Sequence, residues 1–427
     1  MLGAQRSTIG DGEAAMRRAA SARKGNVRGR AAGGVRVSEP AARYQLRMIL
    51  PAATIRARGL AAVDPREWAG SSLAEEASLQ QIAPFVGKMK CTMAAALVRA
   101  FSEEGDTVLD PFCGCGVVPL EALILGRHAI GNDLNPYAYT IARAKLHAPR
   151  THALARSAAE QYCAMAEKTA DLVDLDEMPG WVRKFFHPRT LREAHALVTH
   201  LRAREEWFLL GCVLGILHHV RPGFLSHPAS HLTPYLREAK YPRREFPSMY
   251  EYRDVRSRLL AKVDRIYRRP VVIAQHLRSA VLVEDARDLP LENESIDAIV
   301  SSPPYFDALD YGRDNRLRLW FLGVPNYKML EGALIGRRDS YLDDMRGSLC
   351  EMHRVLRHGG HCILVLGDVN KNGVVKSTAE MIAEVARGLE EPFEVEGIVD
   401  DIIPDERRSR RRTRTTVRDR VLVLRKA

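Results

Sequence analysis

Disulfide chemistry is the first thing this sequence lacks. Its seven cysteines are odd in number and include no Cys-x-x-Cys pair, which excludes a disulfide framework and points to reduced thiols in a cytosol. Cys113 and Cys115 stand close together, but no second pair of ligand residues completes a metal site. They read as small buried thiols lining a loop, and no metal is expected. Long apolar runs are missing too. Trp207 to Leu217 is too short to cross a bilayer and runs into His218-His219, and no apolar signal-peptide core is present. A soluble, cytoplasmic protein without membrane contact is expected.

What is present begins with size and charge. A chain of 427 residues has room for two or three domains. Lys and Arg total 64 against 53 Asp and Glu, a formal charge of +11, which favours a polyanionic partner such as nucleic acid. Residues 1–40 are rich in Ala, Arg, Gly and Ser, as in Ser21 to Gly34, and show no sustained apolar period. They read as a disordered basic tail able to add non-specific phosphate contacts. A transit peptide fits less well, because Asp11 and Glu13 interrupt the basic pattern.

The chain is organised around Thr107-Val-Leu-Asp-Pro-Phe-Cys-Gly-Cys-Gly116. A short β-branched and apolar run ends in an acid, turns through two glycines and enters the helix-compatible stretch Val117 to Leu125. That is a strand, a tight loop and a helix N-terminus, the place where an open α/β sheet binds ligands. One Gly-x-Gly is as readily an ordinary turn; support comes from downstream. Ala129 to Asn132 reads as a second strand followed by Asp133, about twenty residues after the loop, the spacing at which an acid accepts hydrogen bonds from a ribose. Asp110, ending a buried strand, needs a partner of its own. Asn135 suits a helix cap and Pro136 a first turn. Far along, Ile296 to Ser301 is another buried-strand pattern, and it runs into Ser302-Pro303-Pro304-Tyr305.

On these residues the chain resembles the S-adenosylmethionine-dependent DNA amino-methyltransferases. Asp110-Pro-Phe112-Cys-Gly114-Cys-Gly116 is similar to their motif I, Ser302 to Tyr305 to their motif IV, and Pro84-Phe-Val-Gly-Lys88-Met89 to motif X. The resemblance covers roughly residues 80–150 and 280–370, in the family's order. It implies S-adenosyl-L-methionine as cofactor, held by Lys88, Asp110, Phe112, Gly114, Gly116, Asp133, Asp285 and Ala286. Within that set Asp133 would take the ribose hydroxyls, and Asp285 and the Ala286 N–H the adenine, with Asp288 a competing candidate. The catalytic residues implied are Ser302, Pro303, Pro304 and Tyr305. The amine of a cytosine or adenine is a poor nucleophile, because its lone pair is delocalised into the ring. Donating to the Ser302 hydroxyl oxygen and the Pro303 carbonyl would let the nitrogen pyramidalise towards the methyl group. Tyr305 would stack a base flipped from duplex DNA.

Residues 151–275 differ in character, with helical stretches at Leu191 to Leu201 and Glu206 to Val220 and a basic aromatic segment from Tyr235 to Tyr252. They read either as a nucleic-acid or target-recognition region or as a helical lid. Their place between the second and third strands departs from the family, whose recognition regions usually lie elsewhere. His218 and His219 are adjacent on a helix, diverge, and read as structural. After the third strand, Ala280 to Val283, and the fourth, a loop carrying Asp310, Tyr311 and Arg313 is a candidate base pocket. The Gly359-Gly360 turn precedes a fifth strand at His361 to Asp368, helix Ser377 to Gly388 follows, and strands near Phe393 to Ile403 and Arg420 to Leu424 close the sheet. Arginines from Arg407 to Arg414 suit a DNA backbone or a solvated hairpin equally well.

The expected fold is α/β, a Rossmann-like seven-stranded methyltransferase sheet with a mainly helical insertion. Core segments at 41–150 and 276–427 flank the insertion at 151–275. The expected activity is methyl transfer to cytosine N4 of DNA, because Ser at the start of motif IV resembles the N4 enzymes. Adenine N6 is the alternative and RNA guanine N2 a more distant one. The sequence gives no target site and no partner endonuclease.

Overall fold

The computed structural model describes residues 59–69, 76–218, 224–227, 241–304, 311–331, 334–335, 340–371, 374–402 and 418–427. The basic tail lies outside them. The principal strands are β1 (Thr107–Asp110), β2 (His128–Asn132), β3 (Ser279–Leu282), β4 (Ile296–Ser301), β5 (Leu356–Gly367), β8 (Glu394–Ile402) and β9 (Arg418–Arg425), with a small hairpin of β6 (Val369–Lys371) and β7 (Val374–Lys376) after β5. They form a seven-stranded sheet in the order β3-β2-β1-β4-β5-β9-β8. β1 to β5 pair in parallel, and β9 runs antiparallel to both β5 and β8. The order reverses between β1 and β4, so the crevice beyond their carboxyl ends is where such a sheet receives a ligand. This is the expected seven-stranded, Rossmann-like α/β sheet.

Parallel strands covered on both faces are mostly apolar, and β1 is buried at every position, Asp110 included. The helices that position the site are α1 (Cys91–Phe101), α2 (Val117–Ile124) and α3 (Pro136–Leu146). Pro136 occupies the first turn of α3, and the Asn135 side chain caps it by accepting from the Tyr137 N–H at 2.9 Å.

Between α3 and β3 come α4 (His152–Thr169), α5 (Pro188–Ala203), α6 (Trp207–Leu217) and α7 (Val255–Ile266). α6 ends three residues earlier than its apolar pattern predicts, with His218 already extended at φ −149°. Every residue from Phe208 to Leu217 is buried, the signature of a helix packed on all sides. Its neighbours are α3, α5 and α7. Two glycines permit the approach to α3 and the chain before α1: a Cβ on Gly211 would stand 2.5 Å from Ala144 Cβ, and one on Gly215 would collide with the Ile82 carbonyl oxygen. The insertion is therefore keyed into the core through α6. Residues 58–427 form one compact unit.

Gly359-Gly360 does not turn the chain ahead of a strand, as the sequence suggests. β5 starts at Leu356, and the pair forms a bulge within it, where the register with β4 shifts between Ile296 and Ala298. Gly359 takes the left-handed φ of +74° that the bulge needs. Lys426 ties the bulge down, its carbonyl accepting from the Gly359 N–H and its N–H donating to the Gly360 carbonyl. Beyond the sheet, α8 (Arg316–Phe321), α9 (Tyr341–Val355) and α10 (Thr378–Arg387) complete the layers. Among the described residues, no helix is long and apolar enough to cross a membrane.

Replacing an exposed helical glycine by alanine stabilises by about 1 kcal/mol. Gly215→Ala is expected to do the opposite, lowering the unfolding free energy by about 1–3 kcal/mol through overpacking against the Ile82 backbone. Urea unfolding of the two proteins checks this; equal or greater stability of the variant would show that α6 is not held against that backbone.

Candidate active site

The loop after β1 turns because its glycines adopt conformations other residues resist. Gly114 has φ +49° and Gly116 φ +72°. A Cβ on Gly116 would lie 2.9 Å from Cα and Cβ of Ala142, so its absence also brings α2 and α3 together. A Cβ on Gly114 would come 3.1 Å from the Phe85 ring, which leans over the loop from the motif X segment. Phe85 stacks on Tyr137 with centroids 6.0 Å apart, and the Tyr137 hydroxyl donates to the Pro84 carbonyl at 2.6 Å. Asn132 fastens the other side of the loop, donating to the Pro111 carbonyl at 3.1 Å and to that of Glu284.

Two acids flank this loop. Asp110 Oδ1 accepts from the Phe112 N–H at 3.2 Å and from the Ser301 hydroxyl at 2.6 Å. Asp133 accepts from the Gly114 N–H at 2.9 Å and from the Asn135 N–H at 2.8 Å. Burial pushes the Asp110 carboxyl up to about 7, partly offset by its two donors. Burial likewise raises Asp133 to about 6, against the pull of its two backbone N–H groups. No Lys, Arg or His among the described residues pairs with either acid.

Ser302 and Pro304 reach the same cavity from the end of β4. Its walls also include Phe85, Gly87, Lys88, Asp110, Phe112, Gly114 and Asp133, so motifs distant in sequence share one space. Leu334 and Ile335 close one side. The Ser302 hydroxyl donates to the Val365 carbonyl of β5 at 3.1 Å. With its proton committed there, the oxygen meets any other group as an acceptor.

Gly116, Pro303, Asp285 and Ala286 stand apart from this wall. Gly116 shapes the loop without lining the cavity, and Pro303 is buried behind it. Asp285 is occupied by Arg287, whose guanidinium also reaches Asp344, and Ala286 is buried; neither lines the cavity. Lys88 Nζ pairs with Glu76 at 3.0 Å at the cavity's edge. Cys113 and Cys115 are buried thiols of the lining. In the insertion, Arg243 stacks over the Tyr250 ring and Tyr241 meets Phe246 edge-on, so these aromatics serve one another. Tyr305, Asp310, His219, the segment 228–240 and the arginines from Arg407 to Arg414 lie outside the described residues. Among those described, no group of three or more His, Cys, Asp or Glu is placed to hold a metal ion.

Sequence reading missed Ser301, although a hydroxyl ending the strand next to β1 is the available signal. Leu334 and Ile335 carry no local signal at all.

Residues 73–144 match the model of the DNA methylase family. That segment holds Phe85, Lys88, Asp110, the glycine loop and Asp133. Among solved structures the chain is similar to TrmN from Thermus thermophilus, at 15% identity over 82% of this chain and 52% of that one, TM-score 0.31. It is also similar to a second Thermus thermophilus protein, TTHA0409, in complex with S-adenosyl-L-methionine (21% identity, 33% of this chain, 51% of that chain, TM-score 0.22). A third is the rRNA methyltransferase aviRa from Streptomyces viridochromogenes (11% identity, 83% of this chain, 94% of that chain, TM-score 0.32). The chain thus spans about half the length of TrmN. No curated protein matches it in sequence.

The raised acids set a pH dependence of the free protein. A carboxyl whose folded value lies above its unfolded one contributes stability that is present below about 4 and lost as pH rises through about 7 for Asp110 and about 6 for Asp133. Asp110→Asn removes the charge but keeps an acceptor for Ser301 and Phe112. It is expected to raise the thermal midpoint at pH 8 and to change it little near pH 4. A variant equally destabilised at both values would show that Asp110 carries no ionisation penalty.

Proposed function

We propose that this chain, whose residues 73–144 match the DNA methylase family, transfers a methyl group from S-adenosylmethionine to an exocyclic amine of DNA, with cytosine N4 as the leading target. The observation that carries the reading is the single cavity in which the two unpaired acids of the glycine loop meet Ser302. The residues fit that cofactor. Its positive charge suits a site with buried carboxylates and no cation paired to them, and its ribose hydroxyls suit Asp133, whose two N–H donors support its charged form. Gly114 leaves backbone exposed beside it, and Phe85 and Phe112 offer apolar faces. When bound, the cofactor supplies an already activated methyl group on sulfur.

The protein's own share is positioning. The Ser302 oxygen, turned acceptor by its bond to Val365, would take one N–H of the target amine and so free the nitrogen's lone pair. The prolines hold the loop rigid and offer no competing N–H. No general base is required, because the product amine loses its proton readily to water. Tyr305 is proposed as the stacking face for the extruded base. Lys88, Asp285 and Ala286 remain proposed cofactor contacts, in which Asp285 would have to share its carboxylate with Arg287.

Serine at the head of the tetrapeptide favours cytosine N4 by resemblance to the family. Incubation with labelled S-adenosylmethionine and either mixed-sequence duplex DNA or total tRNA, followed by nucleoside analysis, tests the reading. N4-methylcytosine is expected; N6-methyladenine would move the target base, and label in RNA alone would overturn the substrate class. Ser302→Ala is expected to slow transfer on the order of 10²-fold, the scale of losing one positioned transition-state partner, while cofactor affinity stays within about twofold. Full activity in that variant would remove Ser302 from the site. Neutralising the arginines from Arg407 to Arg414 should weaken DNA binding and flatten its salt dependence, and an unchanged salt slope would exclude them from the interface.

A further inference from the structure

The ends of β1 and β4 are joined by a bond that the sheet ladder does not supply. Ser301, the last residue of β4, is fully buried, and its hydroxyl donates to Asp110 Oδ1 at 2.6 Å. The next residue, Ser302, sends its hydroxyl the other way, to the Val365 carbonyl of β5. Two consecutive serines thus connect β4 to both of its neighbours. One holds an acid of the cofactor loop and the other belongs to the catalytic tetrapeptide.

Resting on the methyltransferase reading, we propose that Ser301 is a positioning residue that fixes the Asp110 carboxylate at the cofactor site and couples it to the strand presenting Ser302. The surroundings of Asp110 make this hydroxyl count. Its own loop supplies one N–H, from Phe112, at the longer distance of 3.2 Å. From β2 it faces another acid, Asp133, and from the loop the Cys113 thiol, which burial keeps protonated. Among the described residues no Lys, Arg or His pairs with it, and Lys88, which lines the same cavity, is paired with Glu76 at 3.0 Å. A short hydroxyl-to-carboxylate bond in such a place is charge-assisted, and it is the closest donor the ionised form has. Removing it leaves the carboxylate less able to hold its charge when a cationic ligand arrives.

A merely structural serine would satisfy its own buried hydroxyl and no more. Losing it would cost stability without moving the titration of Asp110. The variants Ser301→Ala and Ser301→Cys separate the two roles, since both side chains fit the space and the thiol is only a weak donor. The Asp110 carboxyl would be titrated by ¹³C NMR in the free full-length protein, and S-adenosylmethionine binding measured by calorimetry between pH 6 and 8.5. In Ser301→Ala the Asp110 midpoint is expected to move to higher pH by roughly one pH unit. Affinity at pH 7 should fall on the order of tenfold and recover as the pH passes the new midpoint, with Ser301→Cys between the two. An unmoved Asp110 titration together with an unchanged pH profile of binding would overturn the proposal, whatever happens to the thermal midpoint. If the midpoint moves but the wild-type protein binds no S-adenosylmethionine, the coupling of Ser301 to Asp110 stands and the cofactor reading falls.

Discussion

Keeping two carboxylates out of water at the ends of adjacent strands is the constraint on which the site depends. Asp110 and Asp133 are each raised by burial, and each is supported by donors that only partly offset that cost. The donors come mainly from backbone, the N–H groups of Phe112, Gly114 and Asn135. Presenting them demands a loop that turns back within a few residues, and that demand falls on Gly114 and Gly116, whose left-handed conformations a Cβ would resist. The glycines serve the acids, and the acids leave a cavity suited to positive charge.

A loop this tight needs a firm backing, and α3 supplies it. Ala142 of α3 touches the place where a Gly116 Cβ would be, while Lys145 of the same helix, fully buried, donates to Gln80 and approaches the Cys115 sulfur at 3.6 Å. α3 is backed in turn by α6, whose Gly211 allows the close approach. Arg318 of α8 completes the arrangement. Its guanidinium donates to the carbonyls of Leu214 and His218 at the carboxyl end of α6 and lies over the Tyr137 ring. Helix ends leave carbonyls without partners, and a buried cation there satisfies them while favouring the dipole. The insertion therefore buttresses the glycine loop.

How much of this the sequence disclosed follows from how local each determinant is. The strand, glycine loop and helix at Thr107 to Leu125 were legible because acid, turn and apolar run are contiguous. Asn135 was legible as a cap because a cap is defined by its immediate neighbours. The role of Ser301 was not, since its partner lies 191 positions away and becomes adjacent only through the β1–β4 pairing. Gly359-Gly360 misled for a related reason. Two glycines signal a turn locally, and only the shifted register with β4 reveals a bulge inside a longer strand. The apolar run of α6 likewise identifies a buried helix without telling which surface buries it.

The same logic bears on why serine can stand at the head of the tetrapeptide proposed as catalytic. A carboxylate or amide carbonyl there is an acceptor by its own chemistry, but a hydroxyl can donate or accept, and its role is set by where its proton goes. Here the proton goes to the Val365 carbonyl, which is within reach only because Ser301 pairs with Leu364. That register is re-established after the bulge at Gly359-Gly360, and the bulge is tied to Lys426, whose Nζ in turn donates to the buried carbonyls of His353 and Leu356. The acceptor character of one hydroxyl at the cavity is thus fixed by a backbone irregularity at the far end of the same pair of strands. A serine-headed site depends on strand register in a way that a carboxylate-headed site would not.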